Sequence, residues 1–360
     1  MNKKTVLVGL SGGVDSTVTA HLLLEAGYEV TGAYMRLWTD CPNEELDRQR
    51  IDKAREAAEN LGIPLQVLDL RESFYRNIVL PFIEEYKRGR TPNPCVRCNR
   101  IFKFDQFEAA AEGDFDYVAT GHYARIIARQ KGEKTVYELH RALVPRKDQS
   151  YVLYHLSQAQ LARTLFPLGE YDKEDVREIA RGLGFNLESL SDSQDICFIS
   201  PERGYRALLE EHGATGEPGN FVTPEGVVLG RHLGIGNYTV GQRKHLGMAF
   251  GRRVFVSEIR PETNEVVIAD AGDIMRDAYH LENVRFNLPE PPNGPLRCEV
   301  AARYQAKPVA ATVVPLMEDW TAARVDCDES QRAPTPGQTA VFYDGTRCLG
   351  GGTICYTLDE

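Results

Sequence analysis

The stretch Thr5–Ser16, TVLVGLSGGVDS, decides the fold of this chain. Its apolar run Val6–Leu10 is unbroken, which is typical of a strand that is buried on both faces. Thr17–Ala26 then continues with helical spacing. A turn with two adjacent glycines therefore connects a buried strand to a helix.

The chemistry of this turn predicts an anion site. Glycine has no Cβ, so the backbone of Gly12 and Gly13 can bring its N–H groups close to a phosphate. Ser11 and Ser16 add hydroxyls, and the helix N-terminus adds partial positive charge. No lysine follows the glycines, which distinguishes the turn from the GxxxxGK[ST] P-loop. SGGVDS instead resembles the loop of enzymes that split ATP between its α and β phosphates, the alternative being a turn that only connects two elements.

Composition excludes several classes of protein. The chain has 360 residues, 42% hydrophobic and 26% charged, as in soluble globular proteins with roughly two or three domains. The apolar run Ile78–Ile83 contains Pro81 and is far shorter than the roughly 18 residues of a membrane span. The N-terminal residues lead directly into the first strand without a cleavage signal. We therefore expect a cytoplasmic protein with no membrane partner.

The order of patterns along the chain predicts three domains. Strands and helices alternate up to Tyr117–Arg125, which favours a parallel sheet with helices on both faces and a ligand at the carboxyl ends of its strands. A glycine-rich stretch follows the short helix Gly204–Gly213. Beyond Arg253 the runs are short and β-rich, as in a small barrel. We assign residues 1–203 to the ATP-binding domain, 204–272 to a small central domain and 273–360 to a C-terminal β-barrel.

Charge is distributed unevenly along the chain. The net charge is −10, which disfavours a nucleic-acid partner. However, the segment 87–104 contains six basic residues and no acidic one. Because affinity for phosphate backbones depends on local clusters of Lys and Arg, this segment is compatible with RNA binding. The alternative to RNA binding is that this segment is only the charged, solvated end of a helix.

Two segments carry reactive thiols: TPNPCVRCN at 91–99 and SDSQDICFI at 191–199. Pro92 and Pro94 predict an extended loop around Cys95. Cys98 lies between two arginines, which should lower its pKa below the reference of about 8.5 and favour the thiolate. No second cysteine pair completes a zinc site, so we expect no metal ligands, whereas a redox pair stays open. Taken alone, Cys197 is best interpreted as a buried hydrophobic residue.

Seven segments together resemble the tRNA-specific 2-thiouridylases, in order and over nearly the whole chain. They are GLSGGVDS, TPNPCVRCNRIFKF, ATGHYAR, KDQSYVL, DICFI, YTVGQRKHLG and ARYQ. The resemblance implies an α/β fold: a parallel-sheet, adenine-nucleotide α-hydrolase-like (PP-loop) domain, a small central domain and a C-terminal β-barrel. It implies a transferase that replaces the carbonyl oxygen at carbon two of the wobble uridine with sulfur.

The resemblance also implies roles for individual residues. Two thiols would be catalytic: Cys98 and Cys197. Ten residues would contact ATP: Gly9, Leu10, Ser11, Gly12, Gly13, Val14, Asp15, Ser16, Met35 and Gly121. Three would face the target base: Asn93, Pro94 and Cys95. Seven would contact tRNA: His122, Lys147, Asp148, Gln149, Arg303, Tyr304 and Gln338.

The implied reaction begins when ATP and Mg²⁺ adenylate the uridine oxygen, because a carbonyl oxygen is a poor leaving group. A persulfide on Cys197 then supplies sulfur, and Cys98 releases it with formation of a disulfide. The expected partners are tRNA, a persulfide donor (a cysteine desulfurase or sulfur-relay protein) and a thiol reductant.

Alternatives remain at this point. Many members of the family have an acidic residue in place of Cys95, so an acid or base role at this position is in doubt. Cys95, Cys98 and Cys197 would also suit an iron-sulfur cluster that binds sulfide. An amide-forming ATP pyrophosphatase would share SGGVDS without needing the thiols, and a non-enzymatic CxxC module would not need the ATP loop.

Overall fold

A computed structural model describes residues 3–40, 42–184 and 196–355. Residues 191–195 of the predicted segment 191–199 therefore lie outside the described residues, whereas residues 196–199 are described. The strands in chain order are β1 (Thr5–Gly9), β2 (Glu29–Arg36), β3 (Leu65–Asp69), β4 (Tyr117–Ala119), β5 (Ala124–Lys131), β6 (Lys134–Arg141), β7 (Thr164–Leu165), β8 (Gly219–Val222), β9 (Val228–His232), β10 (Phe255–Arg260), β11 (Glu265–Ala269), β12 (Met275–Phe286), β13 (Leu296–Ala301), β14 (Val309–Pro315), β15 (Ala322–Arg332), β16 (Thr339–Asp344) and β17 (Arg347–Cys355).

The described α-helices lie mainly in the first half of the chain. They are α1 (Val14–Glu25), α2 (Glu44–Leu61), α3 (Arg71–Phe74), α4 (Leu80–Lys87), α5 (Pro94–Cys98), α6 (Phe107–Ala110), α7 (Gln158–Ala162), α8 (Lys173–Gly182) and α9 (Gly204–Glu211). Two π-helical segments, Tyr75–Val79 and Asn99–Gln106, join α3 to α4 and α5 to α6. Residues 71–87 and 94–110 are thus two continuous helical stretches.

The first sheet is parallel and has the order β3-β2-β1-β4-β7. Val6, Leu7 and Val8 of β1 are fully buried because the sheet is covered on both faces. Since β1 is central, the turn that follows it lies at the carboxyl edge of the sheet, where ligands bind in such folds. The predicted fold class is confirmed for this part of the chain.

The strand predicted at Tyr117–Arg125 is wrong in one respect. The chain leaves the parallel sheet after β4, and β5 pairs with β6 in a hairpin. That hairpin extends the barrel, because Arg347 of β17 pairs with His140 of β6. ATGHYAR therefore crosses from the first sheet to the barrel.

The barrel closes through six strands in the order β12-β15-β14-β13-β16-β17, with β12 paired to β17. Its interior contains buried apolar side chains such as Leu281, Val300 and Phe342. A separate sheet, β10-β11-β8-β9, forms the central domain around Phe221 and Val256. No helix in the described part of the chain is both long and apolar enough to cross a membrane.

The loop predicted around the CxxC pair is wrong beyond Asn93. Asn93 itself is extended (φ −105°, ψ 94°), as expected for a residue that precedes proline. Its side-chain oxygen accepts hydrogen bonds from the N–H groups of Cys95 and Val96, and Pro94 occupies the first helical position. These features start a helix, so the two cysteines lie one turn apart on α5.

Candidate active site

The turn after β1 has the backbone needed to receive a phosphate. Gly12 has φ +75°, and a Cβ there would lie 2.7 Å from the backbone of Lys53. Gly13 precedes α1 without a side-chain cap, which leaves first-turn N–H groups for a ligand. The hydroxyls of Ser11 and Ser16 are 3.2 Å apart, and Ser16 donates to the Gly13 carbonyl. We call residues 9–16 the phosphate loop.

Asp15 of the phosphate loop is held by two residues that the sequence did not single out. The ammonium of Lys173 lies 2.8 and 2.9 Å from its two carboxylate oxygens. The hydroxyl of Tyr123 donates to it at 2.7 Å. Lys173 is only 4% exposed, whereas the Asp15 side chain is 33% exposed and thus open to a ligand at the phosphate loop. Lys173 begins α8, 158 residues from Asp15, which is why spacing could not reveal it.

The other two residues assigned to ATP border the same edge of the sheet. Gly121 follows β4 and lies so close to α1 that a Cβ would be 3.1 Å from Asp15. Met35 is the penultimate residue of β2 and is half-buried. Three parallel strands thus bring residues from distant parts of the chain to one edge.

The three thiols differ in exposure but lie within electrostatic reach of one another. Cys95 and Cys197 are exposed and Cys98 is buried. Burial raises the pKa of Cys98 to about 12, with a further increase from Cys197 and Cys95. Protein atoms also crowd the thiol of Cys197 despite its exposed surface, and this desolvation raises its pKa to about 11. The pKa of Cys95 is raised for the same reason.

The expected lowering of the Cys98 pKa by its neighbouring arginines is therefore wrong in this conformation. Arg97 donates to the Asn77 carbonyl instead, at 2.6 Å. The cation that does lower the pKa of all three thiols is Lys103, and its effect is smaller than that of burial. Lys103 lies on the π-helical segment after Cys98, five residues along the chain.

Contacts with Asp40, four residues after the end of β2, fix the segment that carries Cys197. The N–H of Asp40 donates to the Phe198 carbonyl at 3.0 Å, and the Asp40 carboxylate accepts from the N–H of Ser200 at 2.9 Å. The Phe198 ring packs against those of Phe74 and Phe82. Cys197 borders a cavity of about 920 Å³, which we call the Cys197 cleft; its lining includes Trp38, Asp40, Glu44, Arg50 and Glu202.

Several residues assigned to tRNA meet beside the barrel. The hydroxyl of Tyr304 donates to the Asp148 carbonyl at 3.4 Å. Both residues line a cavity of about 490 Å³ together with Arg303 and Arg141. Arg303 and Tyr304 are exposed. A cation-rich surface of this kind is able to contact phosphates.

Lys147 and Gln149 flank Asp148 on the same short segment. Both are half-buried. The Gln149 side chain accepts from the N–H of Tyr123 at 3.0 Å, which links this segment to the residue that holds Asp15. Their contact with tRNA stays a prediction.

His122 and Gln338, also assigned to tRNA, are engaged within the protein. His122 is 7% exposed; it lies 2.7 Å from the Thr120 hydroxyl and 3.4 Å from the Lys103 ammonium. Burial lowers the pKa of His122 well below its ordinary value, so the ring is neutral. The amide of Gln338 donates to the Thr91 carbonyl at 2.8 Å. These contacts support a positioning role for both side chains.

Comparisons with known proteins follow the three parts of the fold. The family described as tRNA methyl transferase HUP domain matches residues 4–201, the corresponding PRC-barrel domain matches 206–270, and an aminomethyltransferase β-barrel domain matches 276–354. Fold and site together define an ATP-using PP-loop protein with two appended β domains.

Full-length relatives are more specific. The chain is 45% identical to the tRNA-specific 2-thiouridylase MnmA of Clostridium botulinum, over 98% of both chains. It is 46% identical to the MnmA of Carboxydothermus hydrogenoformans, again over 98% of each. The chain belongs to the family of tRNA-specific 2-thiouridylases.

A solved structure, the U34-tRNA thiolase NcsA from Methanococcus maripaludis with its [4Fe-4S] cluster, is more distant. It is 19% identical, covers 59% of this chain and 64% of its own, and has a TM-score of 0.34. A likeness this small carries no inference about a cluster here.

Proposed function

We propose that this protein is a tRNA-uridine 2-sulfurtransferase that uses ATP to thiolate the wobble uridine of tRNA. Membership of the 2-thiouridylase family supports this substrate and reaction. The observation that carries the proposal is the combination of a phosphate loop with thiols that influence one another, Cys98 and Cys197. An amide-forming ATP pyrophosphatase would need only the phosphate loop.

The proposed first step activates the uridine. The oxygen on carbon two attacks the α-phosphorus of ATP, the bond to the β-phosphate breaks, and pyrophosphate leaves. N–H groups of Gly12, Gly13 and the first turn of α1 would stabilise the charge that develops on the phosphates. The pair of Lys173 with Asp15 fixes the start of α1 while this occurs.

The described residues suit Mg²⁺ only as a companion of ATP. They contain no group of three His, Cys, Asp or Glu side chains placed to hold a metal ion. Mg²⁺ commonly takes one or two carboxylates together with substrate phosphates. Asp15 would be the carboxylate at the phosphate loop, where Mg²⁺ would share its oxygens with Lys173 and Tyr123, and the ion would neutralise charge on the leaving pyrophosphate.

The proposed second step transfers sulfur. The terminal sulfur of a Cys197 persulfide adds to the activated carbon, and the C–O bond to AMP breaks. The Cys98 thiolate attacks the inner sulfur of the persulfide, so a Cys98–Cys197 disulfide forms and the transferred sulfur stays on the base. A thiol reductant then restores both cysteines.

The same absence of a three-ligand group among the described residues disfavours the iron-sulfur alternative for Cys95, Cys98 and Cys197. We therefore derive no step through a cluster. Active protein prepared without iron would agree with the persulfide route.

The decisive experiment incubates the protein with unmodified tRNA, ATP, Mg²⁺ and a sulfur source, followed by nucleoside analysis for 2-thiouridine. We expect Cys98→Ala and Cys197→Ala each to abolish the product. Cys327→Ala, a half-buried barrel thiol, is the matched control and should retain activity. Normal thiolation by both active-site variants would refute the assignment.

A further inference from the structure

The Cys197 cleft is separate from the other parts of the proposed active site. Among its described lining residues is Cys197, but neither Cys98 nor any residue of the phosphate loop. Cys197 is exposed, whereas Cys98 is buried. The cleft therefore gives a reagent access to one thiol of the pair without passing through the nucleotide site.

The cleft carries an excess of negative charge. Two lining arginines are neutralised inside it: Arg36 lies 2.6 Å from Asp47, and Arg71 lies 2.5 Å from Asp69. In contrast, the carboxylates of Asp40, Glu44 and Glu202 form no ion pair within 4.0 Å in the part of the chain that the structure describes, although Arg203 donates to the backbone carbonyl of Asp40 at 2.9 Å. Among the described lining residues, Arg50 is the arginine outside these two pairs, and Arg203 beside Asp40 is itself paired with Glu211.

One of these carboxylates has an unused acceptor. Asp40 is 7% exposed, and one of its oxygens accepts from the N–H of Ser200. The other oxygen, Oδ2, is buried and has no hydrogen-bond partner among the described residues. A buried carboxylate oxygen without a hydrogen-bond donor is unfavourable. A donor that enters the cleft and reaches Asp40 would remove this cost.

We propose that the Cys197 cleft is the docking site for a basic polypeptide segment that carries sulfur as a cysteine persulfide and loads Cys197. The inference rests on the proposed function and adds the surface and chemistry of the donor. Lysine or arginine side chains of the segment pair with Asp40, Glu44 and Glu202. The same carboxylates repel the phosphates of RNA, which reserves the cleft for the donor.

The loading step is balanced without an external oxidant. The Cys197 thiolate attacks the outer sulfur of the donor persulfide, forming a new S–S bond on Cys197. The S–S bond of the donor breaks, and the donor cysteine leaves as a thiolate. The donor is reduced to its thiol form while Cys197 becomes a persulfide.

The test uses two synthetic peptides of about ten residues, each with one cysteine persulfide. One is rich in lysine and the other in glutamate. Loading of Cys197 is followed by peptide-mapping mass spectrometry, without tRNA or ATP, in a Cys98→Ser background that prevents resolution to a disulfide. We expect the lysine-rich peptide to load Cys197 roughly tenfold faster at low salt, with the difference shrinking as salt is added.

Charge reversal identifies the surface. Glu44→Lys with Glu202→Lys should abolish or invert the preference between the peptides, and Glu44→Gln with Glu202→Gln should reduce it with less effect on folding. Glu133→Lys with Glu262→Lys changes two exposed carboxylates outside the cleft and should keep the preference. Thermal melts verify that each variant is folded.

The outcomes separate this inference from the proposed function. Equal loading by both peptides, or an unchanged preference in the cleft variants, would overturn the docking site even if sulfide-driven tRNA thiolation proceeds. A cleft-dependent preference would support the docking site even if the protein failed to thiolate tRNA.

Discussion

At the scale of single residues, burial rather than neighbouring charge governs the thiols. Cys98 is buried in the main hydrophobic core beside Val96 and Phe102, and this environment favours the neutral thiol. Lys103 opposes the effect without cancelling it. The resting protein therefore protects Cys98, and its thiolate forms only when the surroundings change or the pH is high.

This environment predicts the pH dependence of alkylation. The pKa of Cys98 in the folded protein is raised by burial to about 12, so its alkylation by iodoacetamide should still be rising at about pH 10. The folded state binds this proton more tightly than the unfolded chain does. The raised pKa of Cys98 therefore contributes fully to the stability of the fold below the ordinary thiol pKa, and this contribution is lost as the pH rises toward 12. A plateau in the rate near pH 8 would contradict the assignment.

At the scale of elements, the sequence predicts what is local and misses what depends on distant partners. Extended backbone at Asn93 is predicted correctly because Pro94 imposes it, whereas the helix that follows depends on the side-chain cap of Asn93. The last strand, β17, contains three consecutive glycines, Gly350–Gly352, which weaken its strand pattern in the sequence. A Cβ at Gly350 would lie 2.2 Å from the Arg285 carbonyl, and one at Gly351 2.5 Å from that of Ala340. Glycine is needed there because β17 is paired closely on both sides.

The cap of α5 can be tested against a matched cap elsewhere. Asn43 caps α2 through the N–H of Leu46 as Asn93 caps α5. We expect Asn93→Ala and Asn43→Ala each to lower the free energy of unfolding by about 1 kcal/mol, measured by urea titration. Only Asn93→Ala should change the alkylation rates of Cys95 and Cys98, because only α5 carries these thiols. Equal effects of the two variants on the thiols would mean that the cap does not position them.

At the scale of the whole molecule, the barrel holds the segment that leads to α5. The N–H of Thr91 donates to the Pro336 carbonyl at 2.8 Å, and the side-chain amide of Gln338 donates to the Thr91 carbonyl. Arg90 pairs with Glu282 of β12. The central domain adds the Thr239 hydroxyl, 3.2 Å from that of Thr91. All three parts of the chain thus meet three residues before Pro94, a convergence that no spacing in the sequence indicates.

A glycine in this junction provides a specific test of the coupling. Gly337 has φ +88°, and a Cβ on it would lie 2.9 Å from the Thr91 backbone. Gly345 also has positive φ, at +56°, but its added Cβ would meet nothing within 4 Å. Gly345→Ala should therefore cost only the backbone strain, about 1–2 kcal/mol. Gly337→Ala should cost this and a further ~1–3 kcal/mol, since Thr91 must move.

The comparison of the two variants separates the effect of backbone strain at the glycine from the effect of displacing Thr91. If the barrel positions α5 through Thr91, Gly337→Ala changes the alkylation rate of Cys95 in folded protein, whereas Gly345→Ala leaves it at the wild-type value. Both rates are measured in buffer without denaturant, and circular dichroism verifies that each variant is folded under these conditions. An unchanged alkylation rate of Cys95 in Gly337→Ala would show that α5 keeps its position without the native contact between this loop of the barrel and Thr91.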